Sequence, residues 1–373
     1  MKRKVLIAAA IGTGILFLAG AGQWHFRQNR KCQKQLFAMD TYMEFTAYGP
    51  NSKKAVDAAM EEVQRLDQLL SAQDENSEVY VLNEQGSLPV SNDLAELIKR
   101  GKEIFQETGG LFDDTIYPVM KLWGFPTGKY YVPSEQEVQK ALALVDGEKV
   151  EAQTPDAEYV IGKEQDEKGQ KAETRNDSEK KETVSYVTLG EDQQVDLGGL
   201  AKGYTGQKLA EIMESYGVSS ALFSLGGNIQ AIGTKPDGSR WKVGIRDPEG
   251  EQQDYIGVLS VKDAAVVTSG GYERYFEEDG HTYIHIINPK TGYPAEGDLL
   301  SVTIVSKDGT LADGMSTALY IMGYEKACQF WRQHKEEFNI ILVTDDGKIH
   351  ISDSLQEDFQ SEQKWEIIRG NGR

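Results

Sequence analysis

Asp313 and Thr317 are spaced i, i+4 in the run Ala312-Asp-Gly-Met-Ser-Thr-Ala-Leu-Tyr-Ile-Met-Gly323. If the run is helical, their carboxylate and hydroxyl share one face, with Ser316 beside them. Two hard oxygens, backbone carbonyls and ligand phosphates suit Mg²⁺. The same pair equally suits an acidic residue favouring a helix start and a Thr bonding back to a carbonyl. Four glycine-bearing turns could bring backbone against a ligand: Asp196-Leu-Gly-Gly-Leu-Ala-Lys-Gly203, Ser224-Leu-Gly-Gly-Asn228, Thr268-Ser-Gly-Gly271 and Asn288-Pro-Lys-Thr-Gly292. The first also opens a helix, whose free N–H groups suit a phosphate, with Lys202 adding positive charge. It has neither Walker nor G-x-G-x-x-G spacing. Any one Gly-Gly pair is an ordinary turn as readily as a ligand loop. Four in one half of the chain favour the ligand. His285 lies in Tyr283-Ile-His-Ile-Ile-Asn-Pro. Strand alternation there would put Tyr283, His285 and Ile287 on one face, with His285 either a structural hydrogen-bonder or a base. His281 and His350 read as surface residues near turns.

These residues need a scaffold, and the pattern supplies one of α+β type. Alternation at residues 43–48 predicts a strand ending at Gly49-Pro50. Val56, Ala59, Met60, Val63, Leu66 and Leu70 recur at helical spacing. A second helix carries Leu94, Leu97, Ile98, Ile104 and Phe105 and stops at Gly109-Gly110, and a third opens with the capping box Ser134-x-x-Glu137. From residue 184 strands dominate, at 184–189, 221–225, 229–232, 241–245, 255–261, 264–268, 283–287 and 300–305. A helix at 201–216 interrupts them, and Asp346-Gly347 turns a hairpin between 340–344 and 349–351. Short strands in series with a few helices indicate layered mixed or antiparallel sheets rather than βαβ units.

Composition narrows the function classes. The 373 residues carry 59 acidic and 40 basic side chains, a formal charge of −19. That excess argues against nucleic acid as partner, because phosphate backbones are bound by clustered Lys and Arg. Two cysteines, one read in an N-terminal stalk (Cys32) and one in a helix-like run (Cys328), exclude a disulfide scaffold. Lys2, Arg3 and Lys4 precede an uncharged, mostly apolar run at 5–22. This is either a short membrane anchor or a signal peptide cleaved near Ala19-Gly20-Ala21. Both place the body outside the cytoplasm, since the basic cluster stays inside. The expected organisation is a leader and stalk at 1–30, a body at 31–355 and a C-terminal tail at 356–373. Within the body, the stretch at about 156–183 is polar, of mixed charge and without large apolar residues, and reads as a surface insertion.

Taken together, the segments resemble the ApbE family of FAD:protein FMN transferases. The resemblance rests on Met39-Asp-Thr-Tyr42, Gly110-Leu-Phe-Asp-Asp-Thr-Ile-Tyr-Pro-Val-Met-Lys-Leu-Trp-Gly-Phe125, Val195-Asp-Leu-Gly-Gly-Leu-Ala-Lys-Gly-Tyr204, Ser224-Leu-Gly-Gly-Asn228, Thr268-Ser-Gly270, His285-Ile-Ile-Asn-Pro-Lys-Thr-Gly292 and Ala312-Asp-Gly-Met-Ser-Thr317. It implies a T-fold-like α+β architecture and exported enzymes that move FMN from FAD to a Thr or Ser side chain, releasing AMP. The implied acceptors are flavoprotein subunits of Rnf or sodium-pumping NADH:quinone oxidoreductase type. The implied cofactor is Mg²⁺, held by Asp313, Thr317 and the carbonyl of Gly199. The implied FAD contacts are Met39, Phe112, Asp113, Asp196, Lys202 and Ile287, with His285 as base. Two positions depart from the family pattern: Gln73 replaces an aromatic residue and Gln207 an acidic one. An Mg²⁺-dependent FAD hydrolase and a non-catalytic exported flavin binder remain the alternatives.

Overall fold

The computed structural model describes residues 29–153, 184–251 and 253–371. The leader, apart from residues 29 and 30, and the charged insertion at 156–183 lie outside the described residues. Among those described, no helix is long and apolar enough to cross a membrane.

A nine-stranded sheet runs through the molecule, and its strands lie side by side in chain order. They are Lys31–Ala38, Thr41–Tyr48, Ser220–Leu225, Asn228–Gly233, Ala264–Gly270, Leu299–Ser306, Phe338–Thr344, Ile349–Ser352 and Trp365–Ile368. Every neighbouring pair is antiparallel except the last, which is parallel. The helices Ser52–Leu70, Ala201–Ser215 and Gly309–Met322 pack on this sheet, with Asn92–Glu107 against Gly309–Met322. Burial of Ala55, Val56, Ala59, Val63, Leu66 and Leu70 along one stripe explains why the first of these docks as it does. A second apolar core joins the sheet to a three-stranded sheet built from Trp241–Arg246, Tyr255–Val261 and Phe359–Gln360. An aromatic satellite of Trp123, Phe125, Phe276 and Tyr283 gathers around Ile287.

The structure departs from the sequence reading at several places. Residues 31–38 form the edge strand, so Cys32 belongs to the sheet and not to a stalk; both cysteines are free. Two strands lie within the stretch read as a tail: Trp365–Ile368 pairs with Ile349–Ser352, and Phe359 pairs with Leu259. His350 is buried, 3.1 Å from the Tyr324 hydroxyl, because the parallel pairing covers its strand. The helix Glu78–Gln85 and the short helix Tyr117–Trp123 have too few turns to show periodicity in sequence.

The hairpin joining the first two strands turns through Met39 and Asp40, whose φ angles are +49° and +57°. Such a turn favours Asn-Gly or Asp-Gly, because side chains meet backbone in the left-handed region. Asp40→Gly is therefore expected to raise stability by about 0.5–1 kcal/mol, read as a melting shift of about 1–3 °C. A fall in melting temperature would show that the Asp40 side chain outweighs its backbone cost.

Candidate active site

Loops at one end of the sheet meet the N-terminal ends of two helices around a cleft of about 570 Å³. All ten residues singled out in sequence line it: Met39, Phe112, Asp113, Asp196, Gly199, Lys202, His285, Ile287, Asp313 and Thr317. They come from widely separated parts of the chain, so the fold brings together what the sequence keeps apart.

Asp313 lies in the second turn of Gly309–Met322, as the helical reading required, with Thr317 one turn on. The helix begins at Asp308, whose side chain accepts from the Leu311 N–H at 2.8 Å. Asp313 is 5% exposed, and its Oδ2 accepts from the Gly203 N–H at 2.8 Å. Burial pushes its carboxyl up; Lys202 and hydrogen bonds, including one from Gly203, pull it back. Asn228 faces it as well: its buried Nδ2 has no partner within hydrogen-bond geometry among the described residues, yet it lies close enough to help pull the Asp313 carboxyl down. The Ser269 hydroxyl lies 2.7 Å from that of Ser316 and 3.4 Å from that of Thr317, and Ser316 donates to the Asp313 carbonyl at 2.7 Å. A helix-start acid with a Thr bonding back to a carbonyl therefore does not describe this pair. Asp313 is not the helix cap, and the Thr317 hydroxyl faces Ser269.

Glycine sets the distance between the two helices. A Cβ at Gly203 would meet the Gly309 carbonyl oxygen at 2.1 Å and the Asp313 Cβ at 2.8 Å. Only a residue without a side chain lets the helix starts approach closely enough for the Gly203 N–H to reach Asp313.

The loop before Ala201–Ser215 is clamped from behind. Asn83 donates to the Val195 carbonyl at 2.9 Å and accepts from its N–H at 2.7 Å. The next residue, Asp196, folds its side chain onto the Gly198 N–H at 2.7 Å. Phe112 packs against Gly199, where a Cβ would lie 2.9 Å from the ring. Asp113 turns both oxygens inward: Oδ1 accepts from Thr115, and Oδ2 from the Gly147 N–H at 3.1 Å. Its carboxylate therefore holds the loop in shape. Beside it, Asp114 has a buried Oδ1 without a partner among the described residues. Burial and the charges of Asp113 and Asp196 push that carboxyl well above the usual range.

The strand expected at 283–287 ends at Ile284, so His285 lies beyond it. Its N–H and Nδ1 both bond the Arg274 carbonyl, at 2.9 and 3.1 Å. Tyr283 and Ile287 join the aromatic satellite instead of sharing a strand face with it. Because a carbonyl only accepts, Nδ1 carries the proton and Nε2 keeps its lone pair. Burial first, then the charges of Arg274 and Lys202, lower the imidazole to about 4.

Sequence reasoning did not single out Arg246, Arg274 or Asn83, and gave Asn228 and Ser269 no role. Arg246 ends the strand Trp241–Arg246 and Arg274 follows the single helical turn Gly271–Glu273, and nothing local marks either. Gln73 lines the cleft, whereas Gln207 lies in a separate groove, accepting from Thr310 at 3.2 Å.

No group of three or more His, Cys, Asp or Glu side chains gathers as a metal cage among the described residues. A hard cation that shares its shell with ligand phosphates and water needs only one or two carboxylates. The buried Asp313 carboxylate, with one oxygen not used by Gly203 and the Thr317 hydroxyl one turn away, fits that donor set.

Comparison with known proteins shows what the chain as a whole resembles. The model of the ApbE family matches residues 39–342. A FAD:protein FMN transferase of Treponema pallidum (strain Nichols) is 34% identical over 339 residues, covering 87% of this chain and 88% of that protein. One of Klebsiella pneumoniae (strain 342) is 31% identical, covering 78% and 82%. The crystal structure of the ApbE protein of Thermotoga maritima superposes with a TM-score of 0.75 at 28% identity, covering 89% of this chain and all of that one.

Proposed function

The chain belongs to the ApbE family of flavin-transferring enzymes, and from that premise we propose that it moves FMN from FAD onto a Thr or Ser hydroxyl of an acceptor protein. The observation that carries this reading is the joining of Asp313, Thr317, Lys202 and His285 in one cleft large enough for a dinucleotide.

In this reaction the acceptor oxygen bonds the FMN-side phosphorus, the bond from that phosphorus to the bridging oxygen breaks, and AMP leaves with that oxygen. Such transfers depend mainly on positioning and on neutralising charge spread over phosphate oxygens. The N–H groups opening Ala201–Ser215 and the Lys202 ammonium face that charge. Mg²⁺, held by Asp313, Thr317 and the Gly199 carbonyl, would supply further positive charge to the diphosphate when bound. His285 Nε2 takes the hydroxyl proton, and the Arg274 carbonyl keeps the ring in the correct tautomer. Phe112 and Ile287 give the flavin and adenine apolar walls.

A base of this kind contributes about 10²–10⁴-fold, with a small share when bond breaking leads. His285→Ala is expected to slow transfer about 10²-fold and leave a measurable rate. The lowered imidazole is neutral until the pH falls to about 4, so wild-type transfer should hold between pH 7 and about 5 and decline only below that. An acid limb centred near 6.5 that vanishes in His285→Ala would show that the imidazole is not held low, and a transfer rate unchanged by His285→Ala would contradict its role as base.

The deciding assay incubates the protein with FAD, Mg²⁺ and an acceptor carrying an Asp-Gly-x-Thr/Ser-Gly-Ala-Thr/Ser segment. Such segments are proposed for flavin-carrying subunits of the Rnf or sodium-pumping NADH:quinone oxidoreductase kind. Covalent flavin fluorescence on the acceptor supports transfer. Free FMN and AMP without labelling would make the chain a hydrolase with water as nucleophile, and no AMP at all would make it a binder. We propose that this chemistry takes place outside the cytoplasm, a reading supported by the basic triplet and apolar run at residues 2–22, and protease added to intact cells would test it.

A further inference from the structure

Three hydroxyls line up between the strand Ala264–Gly270 and the helix Gly309–Met322. Along the strand, Ala265 and Val267 join the core that also holds Leu311, Met315 and Leu319 of the helix. Alternation sends Ser269 to the same side, while Thr268 turns away and meets the Thr303 hydroxyl of the neighbouring strand at 2.8 Å. Ser269 therefore faces the helix, with the Ser316 hydroxyl at 2.7 Å and the Thr317 hydroxyl at 3.4 Å. Ser269 and Thr317 line the cleft, whereas Ser316 is fully buried.

The direction of the protons follows by elimination. A hydroxyl has one proton to give, and a carbonyl oxygen only accepts. Ser316 gives its proton to the Asp313 carbonyl at 2.7 Å, so toward Ser269 it is an acceptor. Ser269 then spends its own proton on Ser316 and toward Thr317 is an acceptor in turn. The Thr317 proton is drawn to Ser269, and the lone pairs of Thr317 are left for the cleft. Without that order the hydroxyl would be free to turn its proton into the cleft, where it would repel a cation. We propose that Ser269 is a positioning residue for the cation: by taking the Thr317 proton it keeps that hydroxyl a standing acceptor. Partners behind a metal ligand commonly act in this way, without touching the metal. The role presupposes the proposed function, in which Asp313 and Thr317 hold the cation against the diphosphate.

The test titrates Mn²⁺ into the protein with saturating FAD and no acceptor, and reads the free ion by electron paramagnetic resonance. Ser269→Ala is expected to weaken Mn²⁺ binding about 10-fold, and Ser269→Thr, which keeps the hydroxyl, to stay within about threefold of wild type. Ser316→Ala removes a side chain that does not reach the cleft, yet it frees the Ser269 proton for Thr317 and should weaken binding a few-fold. In a Thr317→Val background Ser269→Ala should add less than about twofold, because no hydroxyl is left to orient. Were Ser269 itself a ligand, its loss would multiply with that of Thr317. That multiplication, or unchanged binding in Ser269→Ala, would overturn the assignment. A merely structural role would lower the melting temperature of the metal-free protein and leave Mn²⁺ binding by the folded protein as it was, which also overturns it. No Mn²⁺ uptake by the wild type beyond that of FAD alone would instead overturn the reading of the cleft itself, and this role with it.

Discussion

Asp313→Ala is expected to lower FMN transfer by more than about 10³-fold while the chain stays folded. The residue is 5% exposed and meets the cleft through one edge of its carboxylate, the other edge being occupied by the Gly203 N–H. Removing it takes away the one buried carboxylate beside Thr317, and with it the charge that would hold a cation against the diphosphate. It also strands the Gly203 N–H, at a stability cost of about 1–3 kcal/mol. Asp313→Asn separates the two effects, because it keeps an oxygen for Gly203 and loses the charge. Transfer should remain lost in Asp313→Asn while the melting temperature recovers. Covalent labelling of the acceptor within tenfold of wild type in either variant would remove Asp313 from the chemistry. The contrast with His285→Ala is the sharper part, since a charge-bearing group should cost far more than a weak base.

Gly203→Ala is the second large effect, and it acts through packing. The new methyl would sit 2.1 Å from the Gly309 carbonyl oxygen, which is backbone and cannot rotate aside. The helices Ala201–Ser215 and Gly309–Met322 must then separate, at a cost of about 1–3 kcal/mol or more. That movement carries Asp313 with it, and a misplacement of about 1 Å at a reacting centre costs about 10²-fold in rate. Gly206→Ala in the same helix is the control, because its methyl would meet the Gln230 Cβ at 3.3 Å, a contact relieved by a shift of a few tenths of an ångström. Equal stability and activity of Gly203→Ala and Gly206→Ala would show that the close approach is not what positions the carboxylate.

The scaffold was legible where periodicity was long. The helix at 52–70 and most strands between 220 and 352 could be read because burial imposes a period over many residues. The edge strand at 31–38 and the pairing of Trp365–Ile368 could not, since edge pairings depend on distant partners. The site was legible through chemistry at fixed spacing, Asp313 with Thr317 above all, and through the family resemblance for the rest. Asn83, Asn228 and Arg246 show the limit. Each acts on a residue remote in sequence, Asn83 on Val195, Asn228 on Asp313 and Arg246 on Tyr272, and no local pattern records it. Asp113 shows the converse, for its motif position suggested a ligand contact while its oxygens are spent on Thr115 and Gly147.

The central claim is that Asp313 and Thr317 together hold the metal-bound diphosphate of FAD. The most direct test is a crystal of the protein soaked with FAD and Mn²⁺, with the cation located by its anomalous scattering. The account predicts one peak bonded to the Asp313 carboxylate, the Thr317 hydroxyl and a phosphate oxygen. A cation on other residues, or a diphosphate lying away from this pair, would contradict it.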